Sequence, residues 1–166
     1  DFTTSKSVAV NHNPLLSINF KVMRALSLSA SYTMSNNRDE SYNPTTGVKE
    51  SVKKSQRKGI ALATKYSFSA PGGISIPLFG KLKFKSTMNI ELNVKLNATL
   101  SEVAKAGGAF ATSSDKSELS IIPVVTYMFS QQIKGGLSGR WQDTSDNKMG
   151  RKSHVRELRI WAELRF

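Results

Sequence analysis

Between residues 81 and 101 the chain alternates between apolar and polar side chains with a period of two. Leu82, Phe84, Met88, Ile90, Leu92, Val94 and Leu96 share one parity, and Lys81, Lys83, Lys85, Asn89, Glu91, Asn93 and Lys95 share the other. On a helix with 3.6 residues per turn these apolar positions would be scattered around the circumference, so the segment predicts a strand. At roughly 3.3 Å per residue it would run for about 70 Å, far beyond the five or six residues of an ordinary strand. The same period predicts strands over 16–23, 26–34, 57–69, 119–129, 133–142 and 154–166. Residues 2–10 predict an eighth, with 11–14, which includes Pro14, as its turn.

The links between these strands alternate as well. Turn-like connections at 23–25, 70–80 and 130–132 take turns with polar, charged ones at 35–56, 102–116 and 143–152. Short turns at one rim and long loops at the other are the arrangement of outer-membrane barrels, whose strands escape hydropathy because lipid-facing and lumen-facing residues average out. A mean hydropathy of −0.31 is therefore no argument against a membrane. If the last strand ends on the periplasmic side, every short link falls on that side.

Aromatic residues gather where such a barrel places its interfacial girdles. Phe20, Tyr66, Phe68, Phe84, Tyr127, Phe129 and Phe166 fall near the periplasmic strand ends on the apolar parity, and Tyr32 and Trp141 fall near the outer ends. In the last strand Leu158, Ile160, Ala162, Leu164 and Phe166 alternate with Glu157, Arg159, Trp161, Glu163 and Arg165. A strand that stops on Phe with this spacing resembles the signal by which outer-membrane proteins are read for barrel insertion, with Trp161, Leu164 and Phe166 as its elements.

Charge refines the size of the barrel. The chain holds 24 Lys and Arg against 12 Asp and Glu, a net +12, with no Cys and two His. No disulfide, thiolate metal site or Cys nucleophile is available, and His12 and His154 are too far apart in sequence to favour a His-based metal cluster. The polar parity carries ten cations (Lys21, Lys65, Lys81, Lys83, Lys85, Lys95, Lys134, Arg140, Arg159, Arg165) and four anions (Glu91, Glu118, Glu157, Glu163). An eight-stranded barrel is filled by its own side chains, and six unpaired cations there would each cost several kcal/mol in desolvation. The expected fold is thus all-β: an antiparallel, up-and-down transmembrane β-barrel segment of seven or eight long strands, an arc of a larger barrel with a wet lumen. Residues 1–166 form a single C-terminal portion of it. The absence of an initiator Met marks a processed product or a piece of a longer chain.

One strand breaks the pattern: SIIPVVTYMF, residues 120–129, is apolar on both parities, which sends Ile122, Val124 and Met128 to the lumen. Either something packs there, or a bulge at Pro123 resets the register.

YSFSAPGGISIPLFGKLKFKS (66–86), GGLSGRWQDTSDNKMGRKSHVREL (135–158) and the terminal RIWAELRF (159–166) resemble the C-terminal part of the SprA/Sov cell-surface proteins of Bacteroidetes and their relatives. The resemblance implies the end of a very large single-chain barrel, the translocon of the type IX secretion system, which passes folded cargo and supports gliding motility. It also implies a lateral opening, plug or cargo-shuttle partners, secreted protein cargo and assembly by the barrel-assembly machinery. The implied location is the bacterial outer membrane at the cell surface, in contact with outer-membrane lipid.

Other classes fit less well. A nucleic-acid binder accounts for the charge, but the cations are dispersed and not interleaved with stacking aromatics. The clusters Lys53, Lys54, Arg57, Lys58 and Arg151, Lys152, His154, Arg156 fit anionic headgroups or plain solvation at an outer rim. An outer-membrane hydrolase would need a nucleophile beside His154, which has only Asp143 and Asp146 nearby in sequence, so no enzyme, catalytic residue or cofactor is expected. An ordinary porin or receptor barrel remains the alternative within the membrane. A soluble lipocalin-like carrier, with the leucine parity inside, is the alternative outside it.

Overall fold

The structure, a computed structural model, describes residues 4–23, 25–76 and 80–165, without the side chains of residues 23, 70, 72–76 and 80–85. Seven strands follow one another: β1 (Ser5–Met23), β2 (Leu26–Tyr42), β3 (Lys49–Ile76), β4 (Gly80–Lys105), β5 (Ala111–Met128), β6 (Ile133–Asp146) and β7 (Arg151–Leu164). They form one antiparallel sheet in chain order, with β1 and β7 at its two edges.

Two corrections to the sequence reading concern where strands stop, and one alternative it left open is decided. The eighth strand over 2–10 does not exist as a separate element. β1 runs through 11–14, and the register shifts between His12 and Leu16 instead of turning. An edge strand can hold Pro14 in this way because no neighbour needs its missing N–H. The long polar loops are also mostly strand. Asn36 pairs with Gln56 and Glu40 with Val52, so the connection shrinks to residues 43–48, and the other two shrink to 106–110 and 147–150. These extensions are polar on both faces, so no period of two marks them. No bulge resets the register at Pro123: pairing with β4 is continuous from Leu92↔Pro123 to Ile90↔Val125, and pairing with β6 skips Ile122 and Pro123 but resumes at Val124↔Ser138 in the register of Ile121↔Trp141.

The turns at the end of the extended strands close on local hydrogen bonds. Asn43 Oδ1 accepts from the N–H groups of Thr45 and Thr46 at 2.9 and 3.0 Å, and Gly47, at φ 66°, takes the left-handed position that a side chain resists.

There is almost no core. Ala104 is the only buried hydrophobic residue among those described, and no side chain there is fully buried. The accessible surface is 12082 Å², whereas a compact domain of this mass exposes about 8,100 Å². One layer of sheet has two faces and nothing within the described chain to cover either.

Candidate lipid belt and channel lining

Opposite residues in an antiparallel ladder share a face, so the registers test whether seven separately read alternations agree. They do. Ile18, Ala30, Leu62, Val94, Ile121 and Trp141 form one continuous row across six strands. Ser17, Ser31, Ala61, Lys95, Ser120, Gln142 and Val155 form the adjacent row on the other face. The structure places Met88, Ile90, Leu92, Val94, Leu96, Leu158, Ile160 and Leu164 on the apolar face, and Asn89, Glu91, Asn93 and Lys95 on the polar one. The side chains of Leu82, Phe84, Lys81, Lys83 and Lys85, and residue Phe166, lie outside the described set.

On four strands the apolar face is a belt of one height. It covers nine residues of β2 (26–34), β3 (60–68), β5 (119–127) and β6 (133–141), the length of a tilted membrane-spanning strand. Beyond it, on the same face, stand Asn36, Lys58, Ser117, Asp143 and Arg156, interspersed on β1, β3 and β4 with Val8, Val10, Val52 and Leu100. The belt also crosses the sheet obliquely. Its edge is at Met34 on β2, whose row passes through Lys58, Ala98, Ser117 and Ser145 to Lys152, yet on β7 the edge is at Leu158, six residues lower. At its other edge the drift from Leu26 to Leu164 is four residues, because Leu26 is level with Ile160. Over five strand steps of about 4.8 Å this is roughly 3–4 Å per step, the offset of strands tilted by about 30–40°. Outer-membrane barrels tilt theirs by ~35–45°. Exposure on this face is high: Leu92 39%, Leu158 68% and Ile160 83%.

At the belt's other rim Tyr66 and Phe68 stack at 5.4 Å and Tyr127 meets Phe129 edge-on at 5.0 Å. Phe68, Met88 and Tyr127 fall in one row, while Phe20 pairs with Leu28 one strand turn inside the belt. Trp161, read as part of the terminal signal, is on the polar face, and Leu164 is on the apolar one. The Trp161 ring covers the space a side chain at Gly136 would need, with Lys134 Nζ 5.6 Å from the ring centroid.

The polar face is better paired than the charge count implies. Lys65 meets Glu91 at 2.7 Å, Arg159 meets Glu157 at 3.2 Å and Arg165 meets Glu163 at 3.0 Å. These groups stay solvated, so each pair adds little stability. Ser67 donates to Asn89 at 2.6 Å. Ile122, Val124 and Met128 make an apolar island within this polar surface.

Above the belt two charge clusters lie on the apolar parity. Glu40 accepts from Tyr42 Oη at 2.6 Å, from Arg38 Nη2 at 2.8 Å and pairs with Lys49 at 3.0 Å. These bonds, that from Tyr42 first, pull its pKa down to about 2. A lowered folded-state value stabilises above the unfolded carboxyl's pKa and is lost as pH falls through the folded one. The cluster should therefore persist at pH 4 and open near pH 2. Tyr42→Phe should move the Glu40 midpoint, read by carboxyl NMR, back toward 4.5, and an unmoved midpoint would contradict this assignment. On β6 and β7, Asp143 Oδ1 lies 2.7 Å from His154 Nδ1 and 2.6 Å from Arg156 Nη2, and those two contacts lower its pKa. Among the described residues no hydroxyl hydrogen-bonds to the ring of His154, and no group of three or more metal-ligating side chains occurs. No described helix is long and apolar enough to cross a membrane.

Comparison of the chain with protein-family models, with curated proteins and with solved structures finds no match in any of the three.

Proposed function

We propose that this chain is a stretch of wall in an outer-membrane protein-secretion channel, a type IX translocon-like conduit through which folded cargo leaves the cell and on which gliding motility depends. The observation that carries this reading is the one-layer sheet whose apolar belt is nine residues tall, oblique to the strands and capped by charge. Hydrocarbon is the solvent that matches such a face, since exposing it to water costs about 25 cal/mol per Å². The polar face then meets a water-filled passage. Its cations need water to remain charged, which supports a lumen wider than that of a small barrel filled by its own side chains. Within the described chain β1 pairs only with β2 and β7 only with β6. In lipid such edges must be paired, so both would join further strands of the same wall. The wall is passive, acts without a cofactor, and stands at the cell surface.

The island of Ile122, Val124 and Met128, with no bulge to explain it, supports contact with something inside the channel: a plug, a shuttle protein or cargo. The test is a cargo stalled in the full-length barrel by a bulky fusion, with a photo-crosslinker placed in turn at Asn93, Ile122 and Leu92. Adducts to cargo at Asn93 and Ile122 but not at Leu92 are expected. Passage of small solutes with no cargo adduct at any of the three would assign an ordinary porin or receptor barrel instead.

A further inference from the structure

A groove of about 590 Å³ lies at the outer edge of the belt, where registers four strands apart bring distant residues level. One row of the apolar parity reads Lys58, Ala98, Ser117, Ser145, Lys152. Small side chains make a trough between two lysines that stand four strand spacings, ~19 Å, apart. Both lysines are exposed, and neither has a hydrogen-bond or ion-pair partner among the described residues. The row beneath, Tyr32, Ile60, Leu96 and Leu119, is the apolar floor at the Lys58 end, and it continues through Asp143 to His154 below Lys152. Asp143 borders the groove, but its charge is met by Arg156 and His154 at 2.6 and 2.7 Å. Glu118 has its side chain on the opposite face, and Asp115, paired with Leu100, stands one row further out.

The two lysines are not at the same height above the belt. Lys58 follows Ile60 directly, whereas Lys152 is six residues beyond Leu158, so the trough rises from the hydrocarbon boundary into the region outside it. A phospholipid headgroup is short and would reach only Lys58. An occupant that fills the trough needs acyl chains on the apolar floor, a long polar head made of flat, small-contact units, and negative charge at both ends.

We infer that this groove binds a phosphorylated glycolipid of the outer leaflet, acyl chains along Ile60 and Leu96 and anionic groups at Lys58 and Lys152. The inference rests on the membrane reading above and adds a specific lipid to it. Each surface lysine near an anionic lipid is worth about fivefold in affinity, so losing both should weaken binding by about 30-fold.

The test uses the full-length barrel in detergent, with native mass spectrometry of added lipids: a rough-type lipopolysaccharide with phosphorylated core, the same lipid after dephosphorylation, and phosphatidylglycerol. Lys58→Gln/Lys152→Gln should lose at least tenfold in affinity for the lipopolysaccharide, and dephosphorylation should cost the wild type as much. Lys152→Gln alone should leave phosphatidylglycerol binding unchanged, and Lys95→Gln, on the polar face, should change nothing. Equal binding by wild type and double variant overturns the site, and so does a phosphatidylglycerol affinity that matches the lipopolysaccharide. Heat-modifiable migration on gels separates the two failures. A barrel that never inserts overturns the membrane reading, whereas an inserted barrel with unaltered binding overturns the lipid site alone.

Discussion

Leu92→Arg should destabilise the full-length barrel in lipid by about 2 to 4 kcal/mol, while Asn93→Arg, one residue along, should be nearly silent. Leu92 lies mid-belt on β4, opposite Thr64 on one side and Pro123 on the other, both on the apolar face. In the proposed membrane-spanning wall a guanidinium there would enter hydrocarbon or drag water with it. Asn93 sits between Ala63 and Ile122 on the polar face, with Glu91 and Lys95 two residues away on the same strand, where another charge remains hydrated. Urea titration of refolding into vesicles measures both. Equal costs at the two positions would contradict the facing assigned to the whole sheet.

Gly136→Ala should cost about 1–3 kcal/mol, the range for overpacking a filled site. A Cβ there would come within 2.5 Å of the Val125 carbonyl oxygen and 2.8 Å of two Trp161 ring atoms. The first of these is backbone and cannot rotate away. Gly139→Ala makes a useful contrast, because its nearest neighbours, Pro123 Cγ at 3.2 Å and the Trp141 ring at 3.3 Å, are side-chain atoms that can shift; it should cost less than Gly136→Ala. Combining Gly136→Ala with Trp161→Ala should recover only part of the loss, since the carbonyl contact remains. A neutral Gly136→Ala would mean that β5, β6 and β7 are not held as closely as described.

What could be read from the sequence was the part of each strand where the two faces meet different surroundings. From Leu26 to Met34 or from Met88 to Leu96 the two parities differ in polarity, so facing and register follow from the pattern alone. Beyond Asn36, Lys58 and Glu102 both faces meet polar surroundings. Arg38 and Glu40 on one parity look no different from Asn37 and Asp39 on the other, and paired strand was read as loop. Pro14 misled for a related reason. It is a turn residue by statistics, but at the sheet edge its missing donor costs nothing, and a register shift absorbs it. Aromatic rings lying over glycines had a weak signal in Gly135-Gly136 facing a strand with Trp161. The row from Lys58 to Lys152 had none, because it depends on four successive registers and no single strand carries it.

The most direct test of the central claim is a nitroxide scan of β4. The 166 residues hold no cysteine, so single cysteines at positions 88–96 of the full-length barrel, with any cysteine elsewhere in it replaced and the protein reconstituted in lipid, carry labels without background. Collision with oxygen, which concentrates in hydrocarbon, should peak at 88, 90, 92, 94 and 96, and collision with a water-soluble nickel complex should peak at 89, 91, 93 and 95. Even-numbered sites shielded from both reagents, with odd-numbered sites open to nickel, would mean that the leucines are sealed inside a protein core and would contradict the account.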